Sequence, residues 1–144
     1  MSLIFETKAA LFEQLKALAP AGVQCSWAET GQSDRRQHIW LGATVDEELE
    51  PSAMRAGPRK PTTVTGYVDA HAVAISPGNP MTAERSVYAL RAVIAEACRG
   101  VDRAAVAGLV DVRPESTSVE TAETTDGAYS ALTVRVKVRG RTTT

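Results

Sequence analysis

From Leu132 to Arg139 the chain alternates without a break: Leu132, Val134, Val136 and Val138 are apolar, while Thr133, Arg135, Lys137 and Arg139 are polar or cationic. Successive side chains of a strand point to opposite faces, so a period of two specifies a strand with one face for a core and one for water. It is the clearest amphipathic strand in the chain. Segments 23–29, 38–45 and 63–76 also read as strands. In 38–45, Ile39, Leu41, Ala43 and Val45 alternate with His38, Trp40, Gly42 and Thr44. In 63–76, Val64, Val68, Ala70, Ala72 and Ala74 alternate with Tyr67, Asp69, His71, Val73 and Ile75, which predicts cover on both faces in its second half.

Asp126-Gly127 is a two-residue hairpin signal, because the favoured turn needs positive φ at both central positions. It predicts a strand ending near Thr125 joined to one starting near Ala128. That register sets Val119 opposite Val134 and Thr121 opposite Leu132, with Glu120 diagonal to Arg135. A further short strand, 109–112, runs into Pro114, which argues for an edge or a bulge there.

Two segments have helical period. Ile4, Leu11, Leu15 and Leu18 mark one face of a helix over 3–19, with Phe5 and Phe12 beside them, and Pro20 and Gly22 stop it. In the second helix Asn79 caps, Pro80 suits the first position, and Ala83, Val87, Leu90, Ile94, Ala97 and Val101 form the apolar stripe, with Gly100 as a stop. Glu84, Arg85 and Arg91 lie on the other face. The fold class is therefore α+β: a mostly antiparallel sheet with two helices packed on it, in the order α-β-β-β-α-β-β, ending in a hairpin.

With 144 residues, 44% of them hydrophobic, the chain is expected to form a single domain, 1–144. Only 5% are aromatic, so the core is filled by small side chains and gains from a partner subunit. Residues 50–61 contain three prolines together with Arg55, Arg59 and Lys60, and 31–37 contain Asp34, Arg35 and Arg36. Both are expected to be exposed loops. No apolar run is long enough to span a bilayer, and the N-terminus lacks a signal peptide's pattern, so a soluble chain made in a cytoplasm is expected, with no membrane partner.

Chemistry is sparsely marked. His38, Asp69 and His71 could form a metal or acid/base set if their strands are neighbours, but strand D-x-H spacing is common and no further ligand is marked, so both histidines read as ordinary, partly exposed strand residues. Cys25 and Cys98 form no CxxC pair and read as small hydrophobes. The run Asp46, Glu47, Glu48 and Glu50 reads as a solvated strand end, since neighbouring carboxylates on a strand alternate faces. Phosphate-binding glycine loops and the G-x-S-x-G elbow are missing from the sequence, so no enzyme and no cofactor is expected. The net charge of -1 argues against a dedicated, sequence-specific nucleic-acid binder. Arg135, Lys137, Arg139 and Arg141 do put four cations on one strand face over about 20 Å. They would face phosphates or an acidic partner, or simply be solvated and protect a strand edge.

The amphipathic start (residues 7–15), the Trp40-Leu41-Gly42 strand after a polar loop, the long Tyr67-Val68-Asp69 strand, the helix over 82–99 and the closing strand over 132–138 together resemble the tail terminator, or tail-completion, proteins of long-tailed (siphovirus-type) bacteriophages and related gene transfer particles. The resemblance spans nearly the whole chain and rests on architecture, size and patterning. It implies a structural virion protein at the neck end of the tail, assembled in the host cytoplasm. Such a subunit forms a homo-oligomeric, hexameric ring on the finished tail tube, ends its polymerisation and provides the head-joining surface. The tail-tube protein would lie below, a neck or head-completion protein above, and DNA would pass through the ring. In that family the loop between early strands can be mobile in the free subunit and ordered in the ring. Residues 50–61 occupy that place, and Arg55, Arg59 and Lys60 would there meet carboxylates of a neighbour. Alternatives are a neck or head-completion connector of the same virion, a tail-tube subunit and, in another class, a small metal-dependent hydrolase resting on His38, Asp69 and His71.

Overall fold

Ser2 and Asn79 begin the two helices. Ser2 Oγ accepts from the Phe5 amide at 3.2 Å and Asn79 Oδ1 from the Thr82 amide at 3.1 Å, each satisfying an amide that the first helical turn leaves without a partner. The computed structural model describes residues 2–30, 36–51, 61–125 and 127–143. The elements run α1 (Leu3–Leu18), β1 (Val23–Ser26), β2 (Gln37–Pro51), β3 (Pro61–Ser76), α2 (Pro80–Gly100), β4 (Leu109–Thr124) and β5 (Gly127–Thr143), in the order expected. α1 stops where Ala19, which precedes Pro20, turns extended.

The five strands form one sheet in the order β1-β2-β3-β5-β4. Every pair is antiparallel except β1 with β2, which is parallel. These two are consecutive in sequence and run in the same direction, so β2 begins at the end of the sheet from which β1 started. α2 carries the chain past β3 to the far edge, and β5 then turns back between β4 and β3.

Both helices contribute to a single core. Leu11 and Leu15 of α1 and Val87, Leu90 and Ile94 of α2 are fully buried against Ile39, Leu41, Val68, Val134 and Val136. β3 offers Ala70, Ala72 and Ala74 to this layer, so the helices are seated on small side chains, as the composition suggests. Leu18, the last residue of the predicted α1 stripe, is exposed. Trp27 anchors α1 to the β1 end of the sheet: Phe5 and Phe12 approach it edge-on, with ring centroids 5.8 and 5.5 Å away. At Gly108 (φ +83) the chain entering β4 crosses close over β5, where the Arg141 amide donates to the Gly108 carbonyl at 2.9 Å.

The structure corrects several expectations. β4 pairs with β5 so that Val119 faces Leu132, Thr121 faces Ser130 and Thr117 faces Val134. The last pair is Thr124 with Gly127, so the hairpin closes one position earlier than an Asp126-Gly127 turn requires, and every partner moves by two residues. Glu120 therefore faces Ala131 and has no diagonal approach to Arg135. β5 lies between β3 and β4, so its cations do not protect a sheet edge. No element among the described residues covers the second face of β3, where Val73 is half-buried and Ile75 exposed. Pro114 sits on the edge strand at a register shift, as its proline suggests. The ends of the 50–61 segment join the sheet after all: Glu50 pairs with Thr63, Pro51 with Thr62 and Pro61 with Thr143. Residues 52–60 lie outside the described residues, as do 31–35 of the other expected loop; Gln37, its last residue, belongs to β2.

Candidate assembly surface

Both helices pack on one face of the five-stranded sheet, and among the described residues no element covers the opposite face. β2, β3 and β5 fill that face with Trp40, Tyr67, Asp69, His71, Arg135 and Lys137, most of them half-buried by their neighbours on the sheet. The alternation that predicted the strands also predicts this face, because each apolar residue turned to the helices leaves a polar neighbour turned away.

Arg135 is the best held of its cations. Its Nε lies 3.1 Å from Asp69 Oδ1 on the neighbouring strand, its Nη1 3.9 Å from Asp46 Oδ2, and its guanidinium 5.8 Å from the Tyr67 ring centroid. The hydrogen bond and charge of Asp69 raise the Arg135 pKa further above its already high value. Asp46 reaches it from a bulge in β2, where its own φ is +51. Lys137 pairs in register with Tyr67 and Arg139 with Thr65, and neither has an ion-pair partner among the described residues. On the β4 side, Arg113 is taken by Asp111 at 3.4 Å. Asp69, Ser116, Thr117, Ser118, Thr133 and Arg135 line a shallow recess of about 360 Å³. Arg55, Arg59 and Lys60, the other cations singled out in the sequence, lie outside the described residues.

The histidines are brought to the same face, but they do not meet Asp69. Trp40 stands between them, its ring centroid 4.9 Å from that of His38 and 5.4 Å from that of His71. Ser26 Oγ donates to the Ala28 carbonyl at 2.8 Å, so it accepts from His38 Nε2 at 2.7 Å. His71 Nδ1 shares a hydrogen bond of 2.9 Å with Thr133 Oγ1, and Asp69 is engaged by Arg135. Contrary to the expectation of partial exposure, His38 is buried, and this burial holds its pKa below the ordinary histidine range against the opposing charge of Glu29. Among the described residues no group of three or more His, Cys, Asp or Glu could hold a metal ion.

Both cysteines are free. Cys98 is buried in the core, and desolvation pushes its thiol up to about 12 although the nearby Arg99 charge opposes the shift. Burial likewise raises Cys25, against Lys16. Lys8 joins α1 to the β2 bulge: its Nζ donates to the Gly42 carbonyl at 2.8 Å and lies 4.7 Å from the Trp27 ring centroid. Burial lowers its pKa. Sequence reasoning missed the Trp40 sandwich, because it depends on Trp40 and His71 being partners across β2 and β3. No helix among the described residues is long and apolar enough to cross a membrane.

Fold and surface together define a class, a two-layer α+β domain with one sheet face uncovered among the described residues. No protein-family model matches the sequence, and no curated protein matches it. Among solved structures, a chain in the virion of a native gene transfer agent particle has a similar fold, with a TM-score of 0.59 over 94% of this chain and 94% of that chain at 16% identity.

Proposed function

We propose that the chain is a structural subunit of a virion, and within it a tail terminator. In this reading it closes the tail tube as a homo-oligomeric ring, contacts the tube protein below and offers the head-joining surface above. The observation that carries the reading is the fold likeness to a chain of a gene transfer agent virion, which extends over nearly the full length of both chains. The sheet face away from the helices supports it, since Lys137 and Arg139 make no ion pair there among the described residues, although Asp111 stands opposite Arg139 on β4, and Lys137 above all is suited to an acidic neighbour. Assembly is the work of such a subunit, and no catalytic step is assigned to it.

Deleting the gene and imaging the particles tests the proposal. Tails of abnormal length that fail to join heads are expected. Tails of normal length left without heads would move the protein to the neck or head-completion layer. Normal tails with full head joining would overturn the structural role.

A further inference from the structure

We infer that β4 of one copy pairs antiparallel with β4 of a second copy about a two-fold axis at Ser118, joining the two sheets edge to edge. Such a contact closes at two copies, so it goes beyond the ring reading above and does not depend on it.

β4 stands at one end of the strand order, and among the described residues no strand pairs with its outer side. The backbone N–H and C=O groups along that side form a template onto which another strand can add. Pro114 and the register shift between Pro114 and Ser116 interrupt this edge near its start, but Ser116 to Thr124 pairs with β5 without a break, and Ser116, Thr117 and Ser118 are exposed. The opposite edge of the sheet is less suited to pairing. β1 is only four residues long, and β2, where it runs on past β1, is irregular between Leu41 and Thr44 and again between Val45 and Glu48.

The choice of a second β4 as occupant follows from charge. Side chains of opposite sign mark the two ends of the flank that α2 and β4 form. Toward the hairpin, Glu84 of α2 accepts from Thr121 Oγ1 at 2.7 Å, and Glu120 is exposed. Toward the start of β4, Arg91 and Arg99 of α2 border Pro114 and Thr117, while Arg113 lies on the sheet face away from the helices with Asp111 at 3.4 Å. Arg91 makes no ion pair among the described residues; its guanidinium lies 5.0 Å from the Tyr88 ring centroid. An antiparallel pair lays each end of this flank on the other end of its copy, whereas a parallel pair would set like on like.

Charge also selects the register. Thr117 and Val119 turn to the helix side, opposite buried Val134 and Leu132, and Ser116, Ser118 and Glu120 turn away. Keeping both faces matched admits only registers that differ by two residues. An axis at Glu120 sets the two Glu120 side chains opposite each other, and an axis at Val119 leaves them diagonal. With the axis at Ser118, Glu120 faces Ser116 of the second copy and Thr117 faces Val119. The register shift makes Arg113 and Ser116 successive residues on their face, so Glu120 also lies diagonal to Arg113 of the second copy. Thr121, which carries Glu84, comes opposite Glu115 at the irregularity, beside Arg91 and Arg99 of the second copy. Every one of these contacts occurs twice.

The test uses the full chain. Native mass spectrometry over a concentration series is expected to show the unaltered chain as dimers or multiples of two. Ser118→Lys sets two cations against each other at the axis and should weaken this association by about tenfold or more. Glu120→Lys, which brings its cation beside Arg113 of the second copy, should weaken it likewise, and Arg113→Glu added to the same chain should restore it. Circular dichroism checks that each variant folds, and the Glu120→Lys series carries the test by itself should Ser118→Lys fail to fold. Association of folded Ser118→Lys or Glu120→Lys equal to that of the unaltered chain would overturn the contact, as would a double variant no better than Glu120→Lys. An unaltered chain that stays monomeric at every concentration would also overturn it. None of these results bears on the tail-terminator reading, which the gene deletion tests.

Discussion

Arg135 and Asp69 are register partners across β3 and β5, joined Nε to Oδ1 at 3.1 Å on the sheet face that neither helix covers. Asp69 is 15% exposed and Arg135 40%, so solvent screens the pair only in part. The contact ties the two central strands together from the side opposite the core, and it occupies one of the cations on β5.

A double-mutant cycle with Asp69→Asn and Arg135→Gln, read by urea denaturation, should give a small favourable coupling at low salt, as expected of a partly exposed pair. Raising the salt to about 1 M should reduce it. Coupling indistinguishable from zero at low salt would show that the pair is incidental to stability.

His38 makes stability depend on pH. Burial lowers its native pKa below the unfolded value of 6.5, so on acidification the unfolded chain takes up a proton before the native chain does. The contribution is present above about pH 6.5 and is lost as the pH falls through the lower native pKa. Thermal melts between about pH 7 and about pH 5 should show a shallower decline for His38→Gln than for the unaltered chain. Parallel curves would reject this role.

Gly108 should tolerate no side chain. At φ +83 an added Cβ would overlap the Arg141 carbonyl oxygen, which is backbone and cannot swing aside. Gly108→Ala should cost at least about 2 kcal/mol, combining left-handed strain with the overlap. Gly22, with φ +88 but nothing within 4 Å of such a Cβ, is the control, and Gly22→Ala should cost about 1 kcal/mol. Equal losses for both in denaturant titrations would remove the crowding argument.

Lys137 and Arg139 should serve assembly rather than folding. Replacing both by Ser is expected to change unfolding free energy by less than about 0.5 kcal/mol, since neither has an ion pair among the described residues. On the proposed tail-terminator reading, the same variant should bind tail tubes more weakly, an effect that salt reproduces in the unaltered chain. Sedimentation of variant protein with tail tubes, undiminished at low salt, would rule this out.

The elements themselves were largely legible. Leu132 to Val138 declared a one-faced strand, Asn79-Pro80 declared a helix start, and the stripe from Ala83 to Ala97 named the buried face of α2. The surface was legible only in part. Arg135, Lys137 and Arg139 could be assigned to one face, but that Arg135 alone would be paired depended on which strand lay beside β5. The contribution of residues 52–60 lies outside the described residues.

What the sequence determined by itself follows from local periods and caps, which act over a few residues and need no knowledge of partners. Tertiary structure decided the rest. It placed β5 between β3 and β4, moved the hairpin register by two residues, set β1 parallel to β2 and inserted Trp40 between two histidines. Each of these depends on pairing between segments far apart in the chain, where alternation specifies which face is buried but is the same for any register shifted by two residues. Only the joint packing of both helices against one set of rows selects among those registers.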